Sequence, residues 1–193
     1  MSDRLTFDQV SALLQTLPLS AELIAIDGLP LAGKSTLAAQ LVEEFGFGLV
    51  GVDDFVAPHE DWPSDIKPAY PFPFSRWEEF RTAVRALRNE GQCFYYPFDW
   101  EIGFVSPEPR YVVRDKPIII EGAGALDPEL VACFDLKFFV ESDEATLMPA
   151  RMARDGDVRT EDWTNLYLPS DALYMATKPQ DRADFLVAGR GIA

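Results

Sequence analysis

Histidine is almost absent from this chain: His59 is the only one in 193 residues. A metal centre built on imidazole, or a Ser-His or Cys-His nucleophile, would have to use it, and nothing around it supports that. Cysteine is nearly as scarce. Cys93 and Cys133 are too few for a disulfide scaffold or a four-thiolate zinc site, and they read as two reduced, partly buried thiols. No apolar run approaches the ~18 residues of a membrane span. Residues 1–7 lack the basic-then-apolar order of a signal peptide. These absences fit a reducing cytoplasm. Positive charge is the remaining scarcity, with 17 basic residues against 32 acidic ones and a net charge of −15. Such a surface repels polyphosphate backbones and anionic lipid, so neither nucleic acid nor a membrane is an expected partner. A small anion can still be held where a few cations converge.

What is present fits a single compact α/β domain, 1–193. The hydrophobic share of 48% suffices for a sizeable core. Thr6 and Gln9 have capping-box spacing ahead of an apolar stripe, Val10, Leu13, Leu14 and Leu17, so a first helix is predicted. Short apolar runs at 23–26, 49–52, 117–121, 136–140 and 185–187 read as strands. Helical patterns at 34–45 and 77–87 lie between them. Ser142 is positioned to cap a helix running towards Asp155, with Pro149 expected to kink it or delay its start. A further helix over 162–177 should break at Pro169. Residues 56–75, with five prolines, read as loop, and 94–99 and 111–113 as weaker strands. Strands alternating with helices predict a parallel sheet covered on both faces.

One segment decides the class. Residues 28–36, Gly28-Leu29-Pro30-Leu31-Ala32-Gly33-Lys34-Ser35-Thr36, follow an apolar strand and open a helix. The G-x-x-x-x-G-K-S spacing lets backbone N–H groups turn inward around a phosphate. The helix adds the positive end of its dipole. Lys34 reaches the β- and γ-phosphates, and the Ser35 hydroxyl is suited to Mg²⁺. Two further strand ends carry carboxylates. Asp53, in Val52-Asp53-Asp54-Phe55, could take a proton from an attacking hydroxyl or help hold the metal; a solvated turn is the competing reading. Glu121, in Ile120-Glu121-Gly122, is a metal or metal-water ligand unless it is merely a surface residue. Arg151 and Arg154 share a helical face and could stabilise a transferring phosphoryl group, although Asp155 could simply pair with Arg151.

In this order the pieces resemble the uridine kinase/phosphoribulokinase/pantothenate kinase group of P-loop small-molecule kinases. The resemblance runs from about residue 24 to 187. It is carried by 28–35, Asp53-Asp54-Phe55, Ile118-Ile119-Ile120-Glu121-Gly122 and Arg151-Met152-Ala153-Arg154-Asp155, with Ala183-Asp184-Phe185-Leu186-Val187 as the closing strand. It implies a three-layer P-loop NTPase fold with a small lid (about 151–162) and an aromatic substrate flap (about 56–112). It also implies ATP and Mg²⁺, with Asp53 as catalytic base, Glu121 near the metal, and Arg151 and Arg154 in the lid, where Arg159 is a further candidate. Phe55 and the segment Tyr96-Pro97-Phe98-Asp99-Trp100 become candidate acceptor contacts. Ser75-Arg76-Trp77 stands near where uridine kinases carry a substrate-binding aspartate, which argues against uridine or cytidine and leaves a nucleoside or vitamin-like molecule as the class of acceptor.

The flap region from Phe55 to Tyr111 holds 14 of the 24 aromatic residues, enough to wall a pocket or to pack onto the sheet. Three functions remain open: phosphoryl transfer to a small-molecule hydroxyl, a nucleotide-binding regulatory module without an acceptor, and a nucleoside monophosphate kinase. The last would need Arg76, Arg81 and Arg110 around an acceptor phosphate. Assembly is also open, with a homodimer among the options.

Overall fold

The computed structural model describes residues 4–16, 21–156 and 160–192, apart from the side chains of Glu144, Arg154 and Asp155. In chain order the elements are α1 (Phe7–Thr16), β1 (Leu23–Gly28), α2 (Lys34–Phe45), β2 (Gly48–Gly51) and α3 (Trp77–Glu90). Four short strands follow: β3 (Gln92–Tyr95), β4 (Phe98–Asp99), β5 (Phe104–Val105) and β6 (Arg110–Val113). Then come β7 (Ile118–Glu121), β8 (Leu136–Glu141), α4 (Glu144–Asp155), α5 (Thr160–Asp162), α6 (Leu168–Met175) and β9 (Phe185–Ala188).

The central sheet has the order β2-β7-β1-β8-β9, and every pairing in it is parallel. Alternate side chains along each strand face opposite layers. Ile24, Ile26, Ile119, Phe138 and Val140 pack against Val10 and Leu14 of α1 and Leu37, Ala38 and Leu41 of α2. Leu23, Ala25, Ile118, Ile120 and Phe139 pack on the other face against Trp77, Phe80, Val84 and Leu87 of α3 and Tyr174 of α6. The expected three-layer α/β architecture is therefore present. Its parallel strands end on one edge, where β1, β2 and β7 deliver the phosphate loop, Asp53 and Glu121.

Local chemistry explains most boundaries. The predicted capping box closes α1: Gln9 N–H donates to Thr6 Oγ1 at 3.2 Å, and Thr6 N–H donates to Gln9 Oε1 at 2.8 Å. Leu17, the last residue of the predicted stripe, lies outside the described residues. Four expectations need correction. The cap of α4 is Asp143, which accepts from Ala145 N–H at 3.0 Å, whereas the Ser142 hydroxyl is buried without a partner. Pro149 does not delay the start of α4, which begins at Glu144 and continues through it to Asp155. The break expected at Pro169 is instead a π-helical turn, Trp163–Tyr167, just before it. There the Leu168 N–H reaches back to Trp163 O, widening the helix where the proline cannot donate. The single strand expected over 94–99 is two, β3 and β4, belonging to separate two-stranded sheets.

The layer under α3 contains a buried ion pair. Asp127, with no solvent exposure, accepts from Trp77 Nε1 at 2.6 Å and from Arg81 Nε at 3.0 Å. Arg81→Met is expected to lower unfolding free energy by about 3 kcal/mol, because it strands a buried carboxylate. Urea denaturation checks this; a loss below about 1 kcal/mol would show the pair to be dispensable.

Candidate active site

The phosphate loop spans β1 and α2. Gly28 has φ 147°, and a Cβ there would lie 2.4 Å from the Val140 carbonyl oxygen, so any side chain would collide with β8. Leu31 holds φ 67°, an uncommon conformation for a branched residue, and it turns the loop before Gly33. The loop is braced from outside by residues that the sequence reading did not single out. Arg190 donates from its backbone N–H to Ala32 O at 2.9 Å and from Nε to Leu31 O at 3.0 Å. Gly189 leaves room for this approach, since a Cβ there would sit 2.4 Å from Ala32 O.

Beneath the loop lies Asp27, fully buried at the end of β1. It accepts from Gly28 N–H at 2.6 Å, Gly124 N–H at 3.1 Å and Leu126 N–H at 2.7 Å. The Tyr174 hydroxyl donates to the same carboxyl. Asp27 thereby ties the loop, the segment after β7 and α6 together. Burial raises its pKa, opposed by Tyr174, the backbone donors and Lys34. Its polar role is not signalled by the pattern, in which it falls just past the apolar run 23–26 and ahead of the loop.

Above the loop is a cleft of about 700 Å³. Pro30, Leu31, Lys34 and Ser35 form its loop side, and Asp53, Glu121 and Asp171 bring carboxylates into it. Lys34 is buried, and its Nζ donates to Leu29 O at 2.8 Å, the loop's own carbonyl. Ser35 Oγ lies 3.3 Å from both Glu121 carboxylate oxygens. Burial raises the Glu121 pKa; Lys34 and Ser35 oppose the rise, and Asp53 and Asp27 add to it. Among the described residues no three Asp, Glu, His or Cys side chains converge as a metal cage. A hydroxyl beside a carboxylate nevertheless suits Mg²⁺, which takes only one or two protein oxygens when phosphates complete its shell.

The two neighbouring aspartates after β2 separate cleanly. Asp53 is exposed and lines the cleft. Asp54 turns away, accepting from the Tyr95 hydroxyl and from Arg110 Nη1, each at 2.7 Å. Of the other sequence candidates, Phe98 and Trp100 line the cleft, together with Phe72, Phe74, Trp163 and Tyr167. Three candidates do not. Phe55 is fully buried against Phe80 and Tyr95. Tyr96 borders a different groove, beside α3 and β6. Asp99 caps its own turn, accepting from Glu101 N–H at 2.9 Å. Arg151 also stays out of the cleft: it is fully buried, donates to Thr160 Oγ1 at 3.2 Å and sits over the Trp163 ring. It thus ties α4 to α5. The Arg154 side chain and Arg159 lie outside the described residues.

The arginines that an acceptor phosphate would require are committed elsewhere. Arg76 donates to the carbonyls of Asp54 at 2.9 Å and Tyr96 at 2.7 Å. Arg81 serves Asp127 and Arg110 serves Asp54. This removes the basis offered for the nucleoside monophosphate kinase reading.

Asp171 on α6 lines the cleft, as do Trp163 and Tyr167, and none of the three is marked by the sequence pattern. Burial pushes the Asp171 carboxyl up to about 7; Lys34 opposes the rise, and Asp27 and Asp53 add to it. An unfolded-chain carboxyl titrates near 3.8, so the folded state holds this proton more tightly. Its stabilising contribution is then fully present below about pH 4 and lost as pH rises through about 7. Each pKa unit is worth about 1.4 kcal/mol, so the swing amounts to a few kcal/mol. Asp171→Asn should flatten the fall in stability across that window, measured by urea denaturation at successive pH values. An unchanged slope would assign the pH dependence to other groups.

No protein-family model matches the chain, and no curated protein matches it in sequence. Solved structures do match in fold. A possible uridine kinase from Bacillus stearothermophilus superposes with a TM-score of 0.71 at 21% identity, covering 94% of this chain and 96% of that one. A protein from Silicibacter sp. TM1040, described as a candidate fructose transport system kinase, gives 0.66 at 21% identity, with 88% and 93% covered. Phosphoribulokinase from Rhodobacter spheroides gives 0.61 at 13%, with 89% and 71% covered. The fold is that of the P-loop small-molecule kinases.

Proposed function

We propose that this chain is an ATP- and Mg²⁺-dependent phosphotransferase acting on a hydroxyl of a small molecule. One observation carries the reading: a single cleft has the phosphate loop on one side, aromatic walls on another and Asp53 beside both. A regulatory nucleotide switch needs the first of these and has no use for the rest. The kinase fold of the structural neighbours points the same way.

In this reading the loop amides and the α2 N-terminus hold the polyphosphate, and Lys34 leaves Leu29 O to reach the β- and γ-phosphate oxygens. Ser35 and Glu121, with Asp53 nearby, are the residues that would hold Mg²⁺ or its waters. When bound, the ion supplies neutralisation of the phosphate charge. Asp53 accepts the acceptor's hydroxyl proton as that oxygen bonds to the γ-phosphorus. The bond from phosphorus to the bridging oxygen breaks, and ADP leaves. Positioning and electrostatics supply most of the acceleration. Arg154 is retained as a lid cation, and Arg151 becomes the residue that holds the lid helices together. A cytoplasmic setting suits Cys93 and Cys133, which stand as separate free thiols.

The test is ADP release by purified protein with Mg²⁺ and ATP across a panel of nucleosides, sugars, vitamins and their phosphorylated forms. At least one acceptor should stimulate release. If none does while nucleotide binding persists, the regulatory reading prevails.

A further inference from the structure

Asp171 is a costly residue to leave as it stands. It is only 6% exposed, and its Oδ2 has no hydrogen-bond partner. An unsatisfied buried polar atom costs about 1–3 kcal/mol, more when charged. Its helix neighbours show no such deficit: Ser170 Oγ accepts from Ala69 N–H at 3.2 Å, and Tyr174 donates to Asp27. The Asp171 carboxyl lines the cleft opened by the phosphate loop rather than a closed core. A ligand in that cleft is the partner within reach.

The rest of the lining limits what the ligand is. Lys34 is the only cation among the described lining residues, and it belongs to the phosphate loop, whereas Asp53, Glu121 and Asp171 are all acidic. An acceptor carrying a phosphate or carboxylate would meet three carboxylates. A neutral molecule with several hydroxyls would instead find hydrogen-bond acceptors. Phe72, Phe74, Phe98, Trp100, Trp163 and Tyr167 give flat apolar faces for a ring.

We propose that Asp171 binds the phosphoryl acceptor by taking a hydrogen bond from a second hydroxyl, and that the acceptor is a neutral, ring-bearing polyol such as a sugar or the sugar of a nucleoside. The proposal rests on the phosphotransferase reading and names the substrate class for that same cleft. Asp171 acts on binding, while Asp53 acts on the hydroxyl that is phosphorylated.

The experiment uses the whole chain with Mg²⁺, ATP and matched acceptor sets: neutral sugars and nucleosides, their phosphates and acids, and single-deoxy analogues of whichever acceptor works. A neutral polyol should stimulate ADP release and its anionic counterparts should not. Asp171→Ala, which has no acceptor oxygen, should raise the acceptor KM about tenfold or more while the ATP KM stays within about twofold. One deoxy analogue should be poorer for the wild type yet used about equally by both proteins. If no acceptor works, the phosphotransferase reading falls and this proposal with it. If an acceptor works but its KM is unmoved by Asp171→Ala, or only the ATP KM moves, the proposal alone is overturned. Should the variant fail to fold, the wild-type panel decides: preference for a phosphorylated or carboxylated acceptor, or indifference to every deoxy change, overturns it.

Discussion

Asp53→Asn is expected to bind ATP about as tightly as the wild type and to lose acceptor phosphorylation by about 10²–10⁴-fold, the usual span for removing a general base. The amide keeps the shape of the side chain and one oxygen for a metal-bound water, but it cannot take a proton. The effect should therefore fall on kcat and leave the nucleotide dissociation constant nearly unchanged. The structure makes this a sharp test because the adjacent residue is an internal control. Asp54 is held by Tyr95 and Arg110 and turned from the cleft. Asp54→Asn should weaken that anchorage and lower stability, with catalysis per folded molecule little altered. Acceptor-stimulated ADP release, with ATP affinity measured separately, distinguishes the two. If Asp53→Asn transfers at the wild-type rate, proton abstraction belongs to another group.

How far these roles could be read from the sequence depends on how local their causes are. The loop between β1 and α2 was legible because the spacing of its glycines, Lys34 and Ser35 is complete within nine consecutive residues. The central sheet was legible because short apolar runs separated by helical patterns have few packings. Asp53 and Glu121 were legible as strand ends, since parallel strands in such a sheet collect their C-terminal ends at one edge. Other roles are set by contacts distant in sequence. Asp27 and Tyr174 meet across 147 positions. Asp171 reads as an ordinary polar residue until α6 is packed over the cleft. Arg76, Arg81 and Arg110 look like free cations until their carbonyl and carboxylate partners are seen. Which side a turn presents is equally invisible: one position separates Asp53 in the cleft from Asp54 against β3 and β6, and one more leads to Phe55 in the core. Arg151 poses the same problem, because a helix face can be assigned from spacing while the Thr160 and Trp163 it packs against cannot.

Lys34→Ala is expected to lower kcat/KM by about 10³-fold, drawing on the 10²–10³-fold typical of one lost stabilising donor and on the full charge removed with it. The argument turns on the acidity of the whole chain. At −15 the protein repels a polyphosphate before contact, and the cleft adds Asp53, Glu121 and Asp171 with Asp27 beneath. Lys34 opposes the upward shifts of Asp27, Glu121 and Asp171, so one ammonium group offsets all three carboxyls. Its removal should weaken ATP binding as well as transfer, unlike Asp53→Asn, because the lost attraction acts on the ground state too. The loss should be greater for ATP without Mg²⁺ than with it, since the ion supplies part of the same neutralisation. Calorimetric titration of both proteins with ATP, at fixed ionic strength and with and without Mg²⁺, reads both differences. Equal ATP affinity in the two proteins under both conditions would show that the loop amides alone bind the nucleotide and that the buried lysine serves only the loop's own carbonyl.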